Sequence, residues 1–261
     1  MVEGDLPETA PTSNWTHVDG LRIHYRTSKE VIPKGRPRIV LVHGLIVSSR
    51  YMVPVLKRLA RHYRIYAPDL PGFGRSEKPS RVLDVAELSG ALSAWMDAVG
   101  LEGATLVGNS MGCQIIANLA VRHPELVERA VLQGPTMDPH GRSVTRQAAR
   151  FLLDVPREVP SLLGIELRDY LAAGTRRGWF TLRYALEDRV EENLPSLQAP
   201  ALVVRGSRDP ICPQRWAEEI VRILPNGRLV VLSGAAHAAN FGAPAEFAGV
   251  IREFLEEERG A

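Results

Sequence analysis

Short apolar runs rich in β-branched residues recur along the chain. They are Ile39-Val40-Leu41-Val42, Ile65-Tyr66-Ala67, Ala104-Thr105-Leu106-Val107, Ala130-Val131-Leu132, Ala201-Leu202-Val203-Val204 and Leu229-Val230-Val231-Leu232. None alternates apolar with polar positions, which is how strands buried on both faces of a parallel sheet read. Between them, Tyr51–His62 and Val85–Val99 carry apolar residues at helical spacings of three and four. Met111–His123 follows a strand run directly, Pro213–Leu224 opens with proline in its first turn, and Pro244–Glu257 closes the chain as a last helix. Ahead of this alternation, Trp15–Val18 and Leu21–Tyr25 flank Asp19-Gly20, a hairpin signal. Residues 1–13, with Pro7 and Pro11, are expected to be loose.

The alternation predicts an α/β domain: a mostly parallel, doubly wound sheet of eight strands flanked by helices. One region breaks it. Residues 135–194 hold no strand run, but show helical patterns near Ser143–Asp154, Glu158–Ala173 and Thr175–Asp188. We read 1–134 and 195–261 as the core domain and 135–194 as an inserted helical lid over the carboxyl ends of the strands.

Composition changes this picture little. The 261 residues are 45% hydrophobic and 24% charged, with 32 basic and 30 acidic side chains, so the net charge is +2. That balance gives no footprint for nucleic acid or an anionic membrane. No apolar run approaches a membrane span, the polar N-terminal stretch is not a signal peptide, and Cys113 and Cys212 cannot make a disulfide framework. These features predict a cytoplasmic, reduced, soluble protein, as a monomer or a dimer. Metal-ligand, phosphate-loop and dinucleotide motifs are missing, so no cofactor or metal is expected.

The chemistry concentrates in Gly108-Asn109-Ser110-Met111-Gly112, at the junction of a strand run and an amphipathic helix. A turn that sharp lifts the Ser110 hydroxyl clear of the sheet edge, needs small residues two positions either side, and sets the Met111 N–H at a helix start that favours an anion. A serine nucleophile needs a base, and the base an orienting carboxylate. Seven histidines are available, at 17, 24, 43, 62, 123, 140 and 237. His237 alone follows a late strand run and a small-residue loop at the carboxyl edge of the sheet, where open α/β sheets place their sites. Asp209 sits equivalently, after Ala201–Val204. The others are read as solvated or capping, and His43 as shaping its loop. The Leu45 N–H, after the first parallel strand, is the candidate second oxyanion donor beside Met111.

The chain resembles the α/β-hydrolase superfamily, in its lid-bearing subgroup, over about residues 15 to 258. The resemblance rests on His43-Gly44, the segment Asp69-Leu70-Pro71-Gly72-Phe73-Gly74-Arg75-Ser76, the Ser110 elbow, Gly206 with Asp209, and His237 with Pro244 and Phe247. It implies Ser110 as nucleophile, Asp209 as acid and His237 as base, and gives Asp69–Ser76 a structural role. The expected activity is hydrolysis of a small carboxylic ester or lactone through an acyl-enzyme, with that substrate and water as the partners. Gly-Asn-Ser-Met-Gly is also similar to carbon–carbon bond hydrolases of ring-fission dienoates. Leu45–Ser49 in place of a glycine-rich loop, and Ala238 in place of a bulky aromatic, depart from them. A non-hydrolytic acyltransferase or a ligand receptor on this scaffold are further alternatives.

Specificity is expected from the lid and from Val47–Met52. Candidate pocket residues are His43, Ser49, Phe151, Trp179, Phe180 and Tyr184. Nine lid arginines face nine lid acids. That balance argues against a strongly anionic substrate, and Arg142, Arg146 and Arg150, spaced by four, read as one solvated helix face.

Overall fold

The computed structural model describes residues 10–29 and 35–260. Its strands are β1 (Thr12–Val18), β2 (Leu21–Thr27), β3 (Arg38–Val42), β4 (Arg64–Pro68), β5 (Ala104–Asn109), β6 (Val127–Gln133), β7 (Ala201–Gly206) and β8 (Gly227–Leu232). They form one eight-stranded sheet in the order β1-β2-β4-β3-β5-β6-β7-β8. Only the β1–β2 and β2–β4 pairs are antiparallel. This is the α/β-hydrolase fold. Asp19 and Gly20 turn the first hairpin with φ of 48° and 79°, as its sharp reversal requires. Thr12 and Ser13 already belong to β1, so only residues 1–9 of the stretch expected to be loose lie outside the described residues.

The unbroken apolar runs have a direct cause. Val40 and Val42 pack into a cluster on one face of the sheet, while Ile39 and Leu41 pack into a cluster on the other. The core helices are α1 (Val53–Leu59), α2 (Val85–Ala98), α3 (Met111–Arg122), α8 (Gln214–Ile223), the short α9 (Ala239–Gly242) and α10 (Pro244–Gly260). The first cluster takes Trp95 from α2, Ile115 and Ile116 from α3 and Trp216 from α8. The second takes Val55, Leu56 and Leu59 from α1 and Phe247 and Ile251 from α10. The α1 helix starts later than its apolar pattern, because Arg50–Met52 are spent in tight turns.

All chain between β6 and β7 is helical or loop: α4 (Val144–Asp154), α5 (Pro160–Ala173), α6 (Thr175–Glu187), α7 (Val190–Asn193) and short 3-10 turns. Ser143 caps α4 by accepting from the Arg146 N–H, and Pro160 opens α5. This insertion leaves the sheet at the carboxyl ends of its strands. The order reverses between β3 and β5, and ligands of open α/β sheets bind outside such a reversal.

One buried pair braces the loop after β4. Asp69 accepts from the Ser49 N–H at 2.7 Å and the Arg75 N–H at 2.9 Å, and its Oδ2 lies 2.8 Å from His24 Nδ1. Burial alone would raise this carboxyl, but those hydrogen bonds hold it down at about 2. His24 is therefore a fully buried partner of Asp69 and not the solvated or capping residue its hairpin position suggested. An Asp–His pair can brace a loop as readily as it can orient a base.

Candidate active site

The β5–α3 junction is a strained elbow. Ser110 has φ 55° and ψ −119°, a conformation that non-glycine residues avoid and that persists only where the surroundings enforce it. The enforcement comes from close packing. A Cβ on Gly112 would sit 2.4 Å from the Val42 carbonyl oxygen, and one on Gly108 would sit 2.7 Å from the Gly112 backbone. The Ser110 N–H donates to the Gln133 carbonyl at 2.9 Å, tying the elbow to β6.

Asp209 follows β7 in a loop that fixes both of its oxygens. Oδ1 accepts from the Ile211 and Cys212 N–H groups at 2.8 and 2.9 Å, and Oδ2 lies 2.9 Å from His237 Nδ1. Arg205 holds the loop shut by donating to the Cys212 and Asp209 carbonyls. With the carboxylate as acceptor, the imidazole carries its hydrogen on Nδ1 and leaves Nε2 free to act as a base. Burial would lower the His237 pKa, but the charge and hydrogen bond of Asp209, with Asp154 and Glu158 nearby, lift it to about 9.

Ser110 and His237 line a single cavity of about 290 Å³ between the sheet edge and the insertion, with no hydrogen bond between them among the described residues. Leu45 and Met111 line it too. Neither N–H is taken by another protein group among the described residues, so both remain available to an oxyanion.

A buried polar chain that sequence reasoning missed supports the backbone of His237. The Tyr51 hydroxyl donates to Asn109 Oδ1, and Asn109 Nδ2 donates to Gln133 Oε1. Gln133 Nε2 then donates to the His237 carbonyl at 2.5 Å. Gln133 ends an apolar run with an amide, and that break in the pattern was the available signal. A second missed contact crosses from the insertion: Glu158 Oε1 accepts from the Ala238 N–H at 2.6 Å.

Of the expected pocket residues, Phe151 lines the cavity and five do not. His43 is buried below it, with Nδ1 against the Gly44 carbonyl at 2.9 Å and Nε2 accepting from the Leu70 N–H at 3.0 Å. Ser49 is engaged by Arg26 and Asp69. Trp179 is half exposed, while Phe180 and Tyr184 meet at a tilt, with the Arg176 and Arg183 guanidiniums over the Phe180 ring. The inner face of α6 is instead Gly178, Thr181, Leu182 and Ala185, and of these Leu182 reaches the cavity.

Of the three arginines expected to form one solvated face, Arg146 is exposed, while Arg142 and Arg150 are drawn into ion pairs. Arg142 forms a two-point bridge to Glu191, and Arg150 pairs with Asp138 at 2.6 Å. Arg146 donates to the His140 carbonyl. Cys113 and Cys212 are free and buried. No helix of the described residues is long and apolar enough to cross a membrane.

Comparison with known proteins places this geometry in a family. A family described as alpha/beta hydrolase fold matches residues 37–162, and one described as TAP-like protein matches residues 178–258. A 2-hydroxymuconate semialdehyde hydrolase of Pseudomonas sp. (strain CF600) is 30% identical over 79% of this chain and 81% of its own. A pimeloyl-acyl-carrier-protein methyl ester esterase of Neisseria meningitidis serogroup B is 27% identical over 87% of this chain and 96% of its own. The crystal structure of a membrane phospholipase A, a bacterial virulence factor, superposes with a TM-score of 0.82 at 25% identity, covering 97% of this chain and 88% of that one. With a strained serine elbow after β5, an Asp–His pair after β7 and β8, and these relatives, the chain belongs to the α/β-hydrolase superfamily.

Proposed function

We propose that this protein is a serine hydrolase that cleaves a small carboxylic ester or lactone, with residues 135–194 as the lid over its catalytic cavity. One observation carries the reading most: an Asp209-anchored imidazole and a serine in a strained elbow line the same enclosed space. The Ser110 hydroxyl attacks the carbonyl carbon while His237 Nε2 takes its proton. Asp209 fixes the tautomer and stabilises the imidazolium, and the Leu45 and Met111 N–H groups hold the oxyanion. The leaving alcohol takes the proton from His237. Water, deprotonated in turn by His237, then releases the acid from Ser110. Catalytic hydrogen bonds of an unliganded site commonly close only when substrate is bound, so the open Ser110–His237 contact fits this role.

The carbon–carbon hydrolase reading is supported by the 30% identical relative. The cavity favours the ester. A muconate is a carboxylate, whereas no arginine or lysine lines this cavity among the described residues.

The deciding experiment uses a fluorophosphonate probe with p-nitrophenyl acetate. Labelling is expected at Ser110 in the wild type and lost in Ser110→Ala, together with turnover. Labelling at another residue, or turnover that survives Ser110→Ala, would end the assignment.

A further inference from the structure

The insertion presents a wall of carboxyls to the cavity. Asp154 comes from the end of α4, Glu158 follows the next turn, and Glu166 projects from the first half of α5. Glu158 spends one oxygen on the Ala238 N–H. Asp154 is only 4% exposed; the His237 backbone N–H acts on its carboxylate, but its Oδ1 has no hydrogen-bond partner. A buried acceptor with no donor costs about 1–3 kcal/mol, more when charged, and such a cost points to a missing donor.

No arginine or lysine lines the cavity at this wall among the described residues, and the protein's own cation there is the His237 imidazolium, which acts on all three carboxyls. Arg150 is spent on Asp138 and the Ile211 carbonyl, and Arg157, which acts on Asp154 from the same side, gives its guanidinium to the Leu153 carbonyl. Aromatic side chains complete the lining: Tyr51, Phe151 and Tyr170. Carboxylates interleaved with aromatic rings are the chemistry that recognises an ammonium group, by ion pairing and by attraction to the ring faces.

We infer that Asp154, Glu158 and Glu166 form a cation-accepting subsite, so that the preferred ester carries an ammonium group on the part that occupies the insertion side of the cavity. The inference rests on the ester-hydrolase reading and specifies its substrate class. Burial acts in the same sense: loss of hydration, with a smaller contribution from the neighbouring carboxyls, holds Glu158 and Glu166 up at about 7. A bound cation would restore their charge. The same wall repels an anionic substrate.

The test compares ω-aminoalkyl acetates of four to six carbons with alkyl acetates one carbon longer, in which a methyl group replaces the ammonium. The best ammonium ester is expected to exceed its neutral partner in kcat/KM by about tenfold or more, and the ratio should fall to about one in Asp154→Asn/Glu166→Gln. Taking the ratio within each variant cancels any general loss of turnover. A wild-type ratio of one or below, or a ratio unchanged in the double variant, overturns the subsite and leaves the carboxyls as modifiers of His237 alone. Calorimetric titration of Ser110→Ala with n-pentylamine, against 1-pentanol, reads the subsite without catalysis. Tighter amine binding that is lost in the Asp154→Asn background supports it, and equal affinities overturn it. If p-nitrophenyl acetate turnover survives Ser110→Ala, the hydrolase reading fails by itself, and the amine titration still decides the subsite.

Discussion

The sheet buries apolar side chains almost throughout, whereas the helical insertion buries polar side chains beside aliphatic ones such as Leu162 and Leu194 and leaves several leucines exposed. In β3, β5 and β7 almost every position is buried, mostly by Ile, Val, Leu and Ala, with Thr105, Asn109 and Arg205 as the buried polar side chains. In the insertion, Leu152, Leu153, Leu167 and Leu171 are 70%, 55%, 62% and 75% exposed, while Gln147, Asp154 and Asp169 are buried. The two regions answer different demands. The sheet gains stability from removing apolar area from water, and its interior is full. The inner surface of the insertion faces a cavity, so its polarity follows what enters that cavity and what the imidazole needs.

This contrast can be broken at several points. The largest effect belongs where the sheet edge meets the chemistry. Asp209→Asn should keep the loop but lose the acceptor that sets the His237 tautomer, and kcat should fall about 10⁴-fold. A steady-state assay showing turnover within tenfold of wild type would remove Asp209 from its role. Next comes the packed interior. Trp216 is fully buried and donates its ring N–H to the Pro135 carbonyl at 3.0 Å, so Trp216→Ala should cost about 3–5 kcal/mol in a urea titration.

A smaller effect sharpens the comparison at the cavity wall. The proposed base works unprotonated, and the negative charges around it hold its pKa at about 9, so kcat/KM should rise with pH through 7 to 9. The groups facing His237 are Asp209 from the β7 loop, Asp154 from α4, and Glu158 and Glu166 from the turn after α4 and from α5. Asp154→Asn removes one charge that favours the imidazolium. The imidazole pKa then falls, and the rising limb should move to lower pH by about half a unit. A limb that stays put or moves up would contradict this electrostatic picture. The smallest effect lies on the outside of the insertion. Leu167→Gln with Leu171→Gln should change the unfolding free energy by no more than about 0.5 kcal/mol per site, against several for the core tryptophan.

Legibility in the sequence follows the same division. Strands buried on both faces leave unbroken apolar runs, so β3 to β7 could be placed to within a few residues; β8 carries the same kind of run although Val231 is exposed, and the Asp19-Gly20 turn marks β1 and β2. The positions of Ser110, Asp209 and His237 could be read because each follows such a run. The cavity lining could not. Trp179, Phe180 and Tyr184 are aromatic, but composition does not say which side of α6 turns inward, and the inner side is the small and aliphatic one. In the sequence Asp154, Glu158 and Glu166 count only toward the charge balance of residues 135–194, because nothing local marks a carboxyl that will be enclosed. His24 and His237 each pair with an aspartate, and only the fold shows that His237 opens onto a cavity while His24 is sealed beneath a loop.

In the proposed mechanism, the hydrogen bond from the Ala238 N–H to Glu158 ties the seating of the insertion to the backbone beside the base. An acyl or alcohol group too bulky to let that glutamate return to the backbone beside His237 would leave the imidazole's own peptide one contact short. Oversized substrates would thus be penalised in the turnover of bound complex and not merely in occupancy, a selection by fit that acts after entry.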